Sequence, residues 1–241
     1  MKRPIQLCTQ DISEIKLLSI ASNSLSDVAY ERLKHAIVCL DLAPGSVVRE
    51  EELIERSDIG RTPVREAIQR LQRDQLVTVL PRQGVMVTNI DVAELPVLFG
   101  TRTILEPYVH RLAAVRGTKA DWDAMDAALA EVESQGASAQ WTDLLEADRF
   151  CHEQVYKAGA NRFLFQTLDM LYTQSERLWY MYLKDGADLH EPLVEHRAIL
   201  SALREGDGDK AATVIEEHIR SFEAQTRAVL YDRLRSPLAG Y

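Results

Sequence analysis

Up to Thr88 the spacing of apolar positions changes twice along the chain. Val28, Leu33, Ile37 and Val38 recur at helical intervals behind Ser24 and Ser26, either of which suits an N-cap. The spacing predicts a helix from that cap to near Leu40. The run DLAPG at 41–45 then reads as a turn, and EELIER at 51–56 as a short amphipathic helix. Pro63 suits the first turn of a further helix, where its missing N–H costs little. From there Val64, Ala67, Ile68 and Leu71 make one apolar stripe. After Leu76 the period drops to two: LVTVL, the turn PRQG, then VMVT. That pattern predicts a β-hairpin with Arg82 at its tip.

Beyond Thr88 strand signals vanish. Amphipathic helices are predicted over 91–116, 119–134, 139–158, 161–185, 189–205 and 208–231. The breaks are Gly117 and the stretches 134–137, 159–161, 186–187 and 206–208. Pro96 falls early in the first helix and either kinks it or delays its start. Short connections between amphipathic helices favour an antiparallel bundle. Residues 1–22 have weak periodicity and read as a tail, with at most one short helix near Ile12–Leu18. The expected fold is therefore mainly α, a helix-and-hairpin unit over 23–90 followed by an all-α bundle over 91–241.

The chain has 241 residues, 46% of them hydrophobic, enough for two modest cores. No uninterrupted apolar run approaches ~20 residues, so no membrane span is expected. The N-terminus lacks a secretory apolar core and cleavage site. Cys8, Cys39 and Cys151 are scattered without CxxC spacing, which suits the reducing cytoplasm. The net charge of −9 changes meaning once it is divided. Residues 1–90 carry 12 Lys/Arg and 12 Asp/Glu, so the remainder carries 16 against 25 and all of the excess. Within 60–85 five Arg face only Glu66 and Asp74, a local +3.

That basic patch has a shape. At ~100° per residue, Arg61, Thr62, Arg65 and Gln69 cluster on a flank beside the apolar stripe. An Arg on such an edge can bridge guanine O6 and N7 in a major groove, and Arg82 on the hairpin can reach phosphate or the minor groove. The plainer alternative is a solvated basic face. The segments LKHAIVCLDLAPGSVVREEELIERSDIG, RTPVREAIQRLQRDQLV and PRQG resemble the winged helix-turn-helix of the GntR superfamily of bacterial regulators. The resemblance implies operator DNA as a partner, bound by a homodimer, with contacts from Arg61, Thr62, Arg65, Gln69, Arg82 and Gly84. The chain departs from the family at Gly60, often a hydroxyl residue, so a side-chain cap or phosphate contact is missing there.

The bundle carries polar residues where apolar ones belong. Asp148 and His152, four apart, share a helix face with Leu144, Leu145, Cys151, Val155 and Tyr156. His196 falls among Leu193, Ile199, Leu200 and Leu203, and His218 among Ala211, Val214, Ile215 and Phe222. Each would be costly to bury alone. A divalent ion such as Zn or Ni, held by three imidazoles and a carboxylate, removes that cost. Core histidines hydrogen-bonded to backbone or to Asp148 are the alternative. Arg102 is also inward, level with Leu95, Leu98, Phe99, Leu105 and Val109. It either pairs with Glu106 or forks onto a ligand carboxylate.

The segments RTILEPYVHRLAA, DRFCHEQVYKAGANRFL and EHRAILSALREGDGDKAATVIEEHI resemble the FCD ligand-binding domain of the FadR subfamily. The resemblance implies a metal at Asp148, His152, His196 and His218. It also implies a small organic acid as effector, whether sugar acid, hydroxy acid or dicarboxylate. On the helical wheel Arg102 can meet its carboxylate, and the inward side of LDMLYTQSERLWYMYL offers Tyr172, Arg177 or Trp179 as pocket wall, although such an aromatic stripe is more often core than ligand cage. Cys151 stands where the family usually has Phe, and six helices instead of seven point to the VanR-like branch. The expected function is a ligand-responsive transcriptional regulator, with no catalytic residues. Two alternatives are a metal-dependent hydrolase fused to a DNA-binding module and a metal-sensing repressor without organic effector. A hydrolase needs a general base beside its metal, and no further inward carboxylate claims that role in the sequence.

Overall fold

Ser24, the first residue described by the computed structural model, caps helix α1 (Leu25–Val38). Its hydroxyl accepts from the Asp27 N–H at 3.2 Å, and the Asp27 carboxylate accepts from the Ser24 N–H at 3.0 Å, so two orphan donors are satisfied reciprocally. The structure describes residues 24–182 and 190–235. The tail with its predicted short helix, Cys8 and the break at 186–187 lie outside the described residues. The chain divides into two compact units that part between Ile90 and Asp91.

In the first unit α1 is followed by β1 (Val47–Val48), α2 (Glu50–Ser57), α3 (Arg61–Arg73), β2 (Val77–Leu80) and β3 (Gly84–Val87). The three strands form an antiparallel sheet in the order β1-β3-β2, with Val48 opposite Val85 and Val79 opposite Val85 on the other side. Strand β1 is absent from the sequence expectation, because two residues cannot show a period. The predicted stripe of α3 is buried in full: Val64, Ala67, Ile68 and Leu71 pack with Leu33 and Ile37 of α1, Leu53 of α2, and Val85 and Val87 of β3. Each Val, Leu or Ile side chain among them contributes roughly 1.5–3 kcal/mol by leaving water. Gly84 is fixed by close approach: its φ is +130°, and a Cβ there would meet the Val48 carbonyl oxygen at 2.5 Å. At the hairpin tip Arg82 takes a left-handed φ of 65° in a turn closed by Gln83 N–H to Leu80 C=O at 3.1 Å.

The second unit is a bundle of α4 (Leu95–Arg116), α5 (Lys119–Gln135), α6 (Trp141–Ala158), α7 (Arg162–Tyr182), α8 (His190–Glu205) and α9 (Gly208–Arg235). A short 3-10 turn at Val92–Glu94 precedes α4, so Pro96 delays the α-helix instead of kinking it. Pro107 lies inside α4 and is buried. Thr118 and Asp121 form a capping box on α5, and the Asn161 side chain accepts from the Phe163 N–H at 3.1 Å to start α7. Helix α9 runs four residues past its predicted end at 231. Helix α4 packs against α6, α7, α8 and α9, so its inward face borders most of the bundle interior. Among the described residues no helix is long and apolar enough to cross a membrane.

Candidate metal centre and nucleic-acid interface

Arg61, Thr62, Arg65 and Gln69 are all exposed on α3, beside its buried stripe. Gly60 is the N-cap of that helix and supplies no side-chain hydrogen bond. The two arginines are tied back to α2. Arg65 Nε lies 3.0 and 2.9 Å from the two Glu50 carboxylate oxygens. Arg61 Nε lies 3.5 Å from Glu50 Oε1, and its Nη2 3.4 Å from Glu51 Oε1. These pairs face solvent, so each contributes only ~0–1 kcal/mol to stability. Their effect is to hold two guanidinium groups side by side. Arg82, Gln83 and Gly84 line a cleft with Val47, Arg49, Glu50 and Glu51, which brings the hairpin tip beside the start of α2. Glu50 and Glu51 lie outside the 60–85 window in which the charges were counted, so that count could not show that they meet Arg61 and Arg65.

Within the bundle Asp148 and His152 come from α6, His196 from α8 and His218 from α9, and all four are buried. Their ligand atoms lie within 4.8 Å of one another. Asp148 Oδ1 is 3.4 Å from His196 Nε2 and 3.9 Å from His218 Nε2, while Asp148 Oδ2 is 3.9 Å from His152 Nε2. Three imidazole Nε2 atoms therefore converge on one carboxylate. Among the described residues Asp148 Oδ1 and His152 Nε2 are buried without a hydrogen-bond partner. Orphaned lone pairs cost free energy in a dry interior, and a divalent ion bound by N/N/N/O ligand atoms satisfies both. The residues fit such a metal. Burial pushes the Asp148 carboxyl up, yet His196, His152, His218 and the Tyr172 hydroxyl outweigh it and hold the group below its ordinary value.

The outward nitrogens of two imidazoles meet carboxylates. His218 Nδ1 is 2.7 Å from Glu195 Oε2, and His152 Nδ1 is 3.0 Å from Glu106 Oε2. At His218 the carboxylate keeps the proton on Nδ1 and leaves Nε2 as a lone-pair donor. At His152 the Glu106 carboxylate acts across an ion-pair distance, its Oε2 having no hydrogen-bond partner among the described residues, and the Tyr156 hydroxyl lies 3.3 Å from the same Nδ1. Sequence reasoning paired Glu106 with Arg102 alone and gave Glu195 no role. Glu195 adjoins His196 in the chain but pairs with His218 on the next helix, a contact that no sequence pattern marks.

Arg102 is buried on α4. Its Nε donates to Glu106 Oε1 at 2.5 Å and its Nη1 to Ser175 Oγ at 3.1 Å. Burial opposes the Glu106 carboxylate, but Arg102 and His152 hold it well below the usual range. The guanidinium carbon lies 5.3 Å from the Tyr172 ring centre and 5.9 Å from that of Trp179. Tyr172 donates its hydroxyl to Asp148 Oδ2, so Arg102, the aromatic pair and the four-residue cluster are continuous. Trp179 is fully buried, and its Nε1 has no hydrogen-bond partner among the described residues. Arg177 is also buried, with Nη1 on Gln174 Oε1 at 3.0 Å, and burial lowers its pKa to about 10. Cys151 is buried beside His152 but outside the cluster, and burial pushes its thiol up.

Residues 97–221 match the FCD domain family, and residues 25–87 match the bacterial regulatory proteins of the gntR family. The chain belongs to the GntR superfamily of regulators with an FCD-type C-terminal domain. It is a ligand-responsive transcriptional regulator, not an enzyme, and its C-terminal domain holds a candidate metal-binding cluster. The chain is similar to the HTH-type transcriptional repressor RspR of Escherichia coli (strain K12), 26% identical over 200 residues, covering 83% of this chain and 88% of that protein. It is also similar to the HTH-type transcriptional repressor GlaR of the same strain, 25% identical over 202 residues, covering 79% and 90%. The solved structure of E. coli McbR/YncC superposes with a TM-score of 0.75 at 21% identity, over 85% of this chain and 98% of that one, which shows a shared fold.

Proposed function

We propose that the protein is a homodimeric repressor of the FadR subfamily, VanR-like branch, that binds a near-palindromic operator and releases it on sensing a small organic acid. Repression is the role named for RspR and GlaR, and six helices among the described residues of the bundle accord with the VanR-like branch. In this reading Arg61, Thr62, Arg65 and Gln69 read the major groove, and Arg82 and Gly84 bring the wing to the backbone. Asp148, His152, His196 and His218 hold Zn or Ni. The ion supplies a Lewis-acidic site for a ligand oxygen, while Arg102 recognises the acid's carboxylate and Tyr172, Arg177 and Trp179 wall the pocket.

One observation carries the reading: the convergence of three imidazoles and a carboxylate on one buried point, joined through Tyr172 to a buried arginine. The test is operator binding by fluorescence anisotropy at fixed salt. Metal-loaded and chelator-stripped protein are titrated with sugar acids, hydroxy acids and dicarboxylates. Release of operator by an acid from loaded protein alone is expected, as is loss of specific binding in Arg65→Ala. Operator affinity indifferent to every acid would overturn the effector. A second reading, in which the metal itself is the signal, is favoured by the engagement of Arg102 with Glu106 and Ser175. It predicts that chelation alone changes operator affinity.

A further inference from the structure

Arg61 and Arg65 both reach from α3 to the first turn of α2, but they are held differently. Arg65 is held by Nε alone, which donates to both Glu50 carboxylate oxygens at 3.0 and 2.9 Å. Among the described residues neither Nη of Arg65 has a hydrogen-bond or ion-pair partner. Arg61 is held at both ends, with Nε 3.5 Å from Glu50 Oε1 and Nη2 3.4 Å from Glu51 Oε1. The carboxylates differ too: the Glu50 side chain is 26% exposed and that of Glu51 66%. One is an anchor shared by two cations, the other a solvated counter-ion on one of them.

Glu50, Glu51 and Glu52 all lie in the first turn of α2, where the helix dipole favours carboxylates. Glu52 pairs with Arg56 on its own helix at 3.2 Å. The dipole accounts for acidic residues at this helix start, but not for one whose carboxylate spans two arginines of the next helix. Glu50 and Glu51 also line the cleft that holds Arg82 and Gly84 of the hairpin, so they lie within the surface offered to a duplex. A carboxylate there repels phosphate whatever the base sequence.

A guanidinium is planar, and its N–H donors point in fixed directions. With Nε occupied, the Nη pair on the adjoining edge of the plane remains available as two parallel donors. Guanine sets O6 and N7 side by side as acceptors and matches that edge. Pinning Nε also removes rotamer freedom from a side chain that is 59% exposed, before any duplex arrives.

We infer that Glu50 is a positioning residue for base reading: it pins Arg65 by Nε and presents the free Nη pair to a guanine edge, while Glu51 is a displaceable counter-ion on Arg61. Glu50 thereby acts twice on specificity. It orients the donor that a matching base rewards, and it penalises phosphate contact with every other duplex. The inference rests on α3 being the base-reading helix, as proposed above, and assigns α2 a part in that reading.

The experiment uses the full chain and two duplexes, one enriched by the wild type from a random-sequence pool and one of the same composition scrambled. Fluorescence anisotropy at one fixed salt concentration gives the affinity for each, and circular dichroism verifies every fold. Arg65→Ala is expected to lower the ratio of selected to scrambled affinity at least about tenfold. Glu50→Ala should tighten scrambled binding, because a carboxylate leaves the surface, yet lower the ratio roughly threefold to tenfold. Glu50→Gln, which keeps an acceptor for Nε, should lower it less. Glu51→Gln should tighten both duplexes alike. In an Arg65→Ala background, Glu50→Ala should no longer change the ratio, since the two act as one unit. A ratio unaltered or raised in both Glu50 variants, with Arg65→Ala still lowering it, would overturn the positioning role and leave the base-reading helix standing. An equal loss from Glu50→Ala with and without Arg65 would overturn the role too, by showing that Glu50 acts on α2 itself. A wild type that enriches no sequence, or wild-type selectivity in Arg65→Ala, would overturn the base-reading helix and the role with it.

Discussion

Glu195→Ala removes a carboxylate that orients the candidate metal centre while leaving all four candidate ligands in place. In the wild type His218 donates its Nδ1 proton to Glu195 Oε2 at 2.7 Å, and its Nε2 faces Asp148 Oδ1 at 3.9 Å. That contact fixes both the ring's rotation and the tautomer in which Nε2 keeps its lone pair. Without it the imidazole can carry its proton on the inward nitrogen and must give it up before binding an ion. A hydrogen bond to a charged group contributes about 1.5–3 kcal/mol. The Glu195 side chain is 27% exposed, so solvent screens part of this and the lower figure applies. About 1.5 kcal/mol corresponds to roughly a tenfold weaker metal affinity, the lower end of the 10–100-fold range for such outer partners. Glu195→Gln keeps a neutral acceptor and should lose less. The assay is competition for Zn(II) or Ni(II) against a chromogenic chelator, on protein stripped and reloaded, with circular dichroism as the fold control. Wild-type affinity in Glu195→Ala would refute the reasoning.

Glu106→Gln leaves one carbonyl oxygen where Arg102 and His152 each meet a carboxylate oxygen at 2.5 and 3.0 Å. The buried guanidinium should keep that oxygen and turn the amide NH2 toward His152 Nδ1, favouring the tautomer protonated at Nε2. Metal affinity should fall ~10–100-fold, and the metal-free melting temperature should drop because a buried cation loses its counter-charge; unchanged chelator competition would contradict this. His110 gives a pH prediction. Burial lowers its pKa from 6.5 to about 4, so the folded state holds it neutral. A lowered folded pKa means its contribution is complete above pH 6.5 and is lost as pH falls toward 4, by up to ~3 kcal/mol at 1.36 kcal/mol per pKa unit. Urea unfolding of metal-free His110→Gln should show an acid limb flatter by that amount, and curves parallel to wild type would count against it.

The order of elements was legible because each buried stripe has a period of its own. The four residues Val64, Ala67, Ile68 and Leu71 announced α3, and Ser24 and Ser26 announced the start of α1, where Ser24 is the cap. What escaped was short or locally contradictory. Strand β1 is two residues that exist only because β3 pairs with them, and Gly84 permits that approach by lacking a Cβ. Pro107 lacks the N–H that a helix interior uses, yet α4 continues through it. Packing of α4 on four other helices outweighs one lost hydrogen bond.

The candidate site was half legible, and the division has a physical basis. A helical wheel gives the direction in which a residue points but not its height along the bundle. Asp148, His152, His196, His218 and Arg102 stood out because direction alone placed polar groups among apolar ones. Whether they met depended on height, and there the wheel is blind. The contacts of Glu106 with His152 and of Glu195 with His218 join residues on different helices at matched heights. The same holds in the first unit, where Arg65 shows as a cation on α3 but Glu50 reaches it from α2. Direction is a local property of one helix. Height is settled by packing between helices, through contacts such as Val109 against the space above Gly159, where a Cβ would come within 2.6 Å of its side chain. A carboxylate that tunes a ligand therefore hides in sequence more readily than the ligand does: the ligand violates its own helix's pattern, while Glu195, partly exposed, violates none.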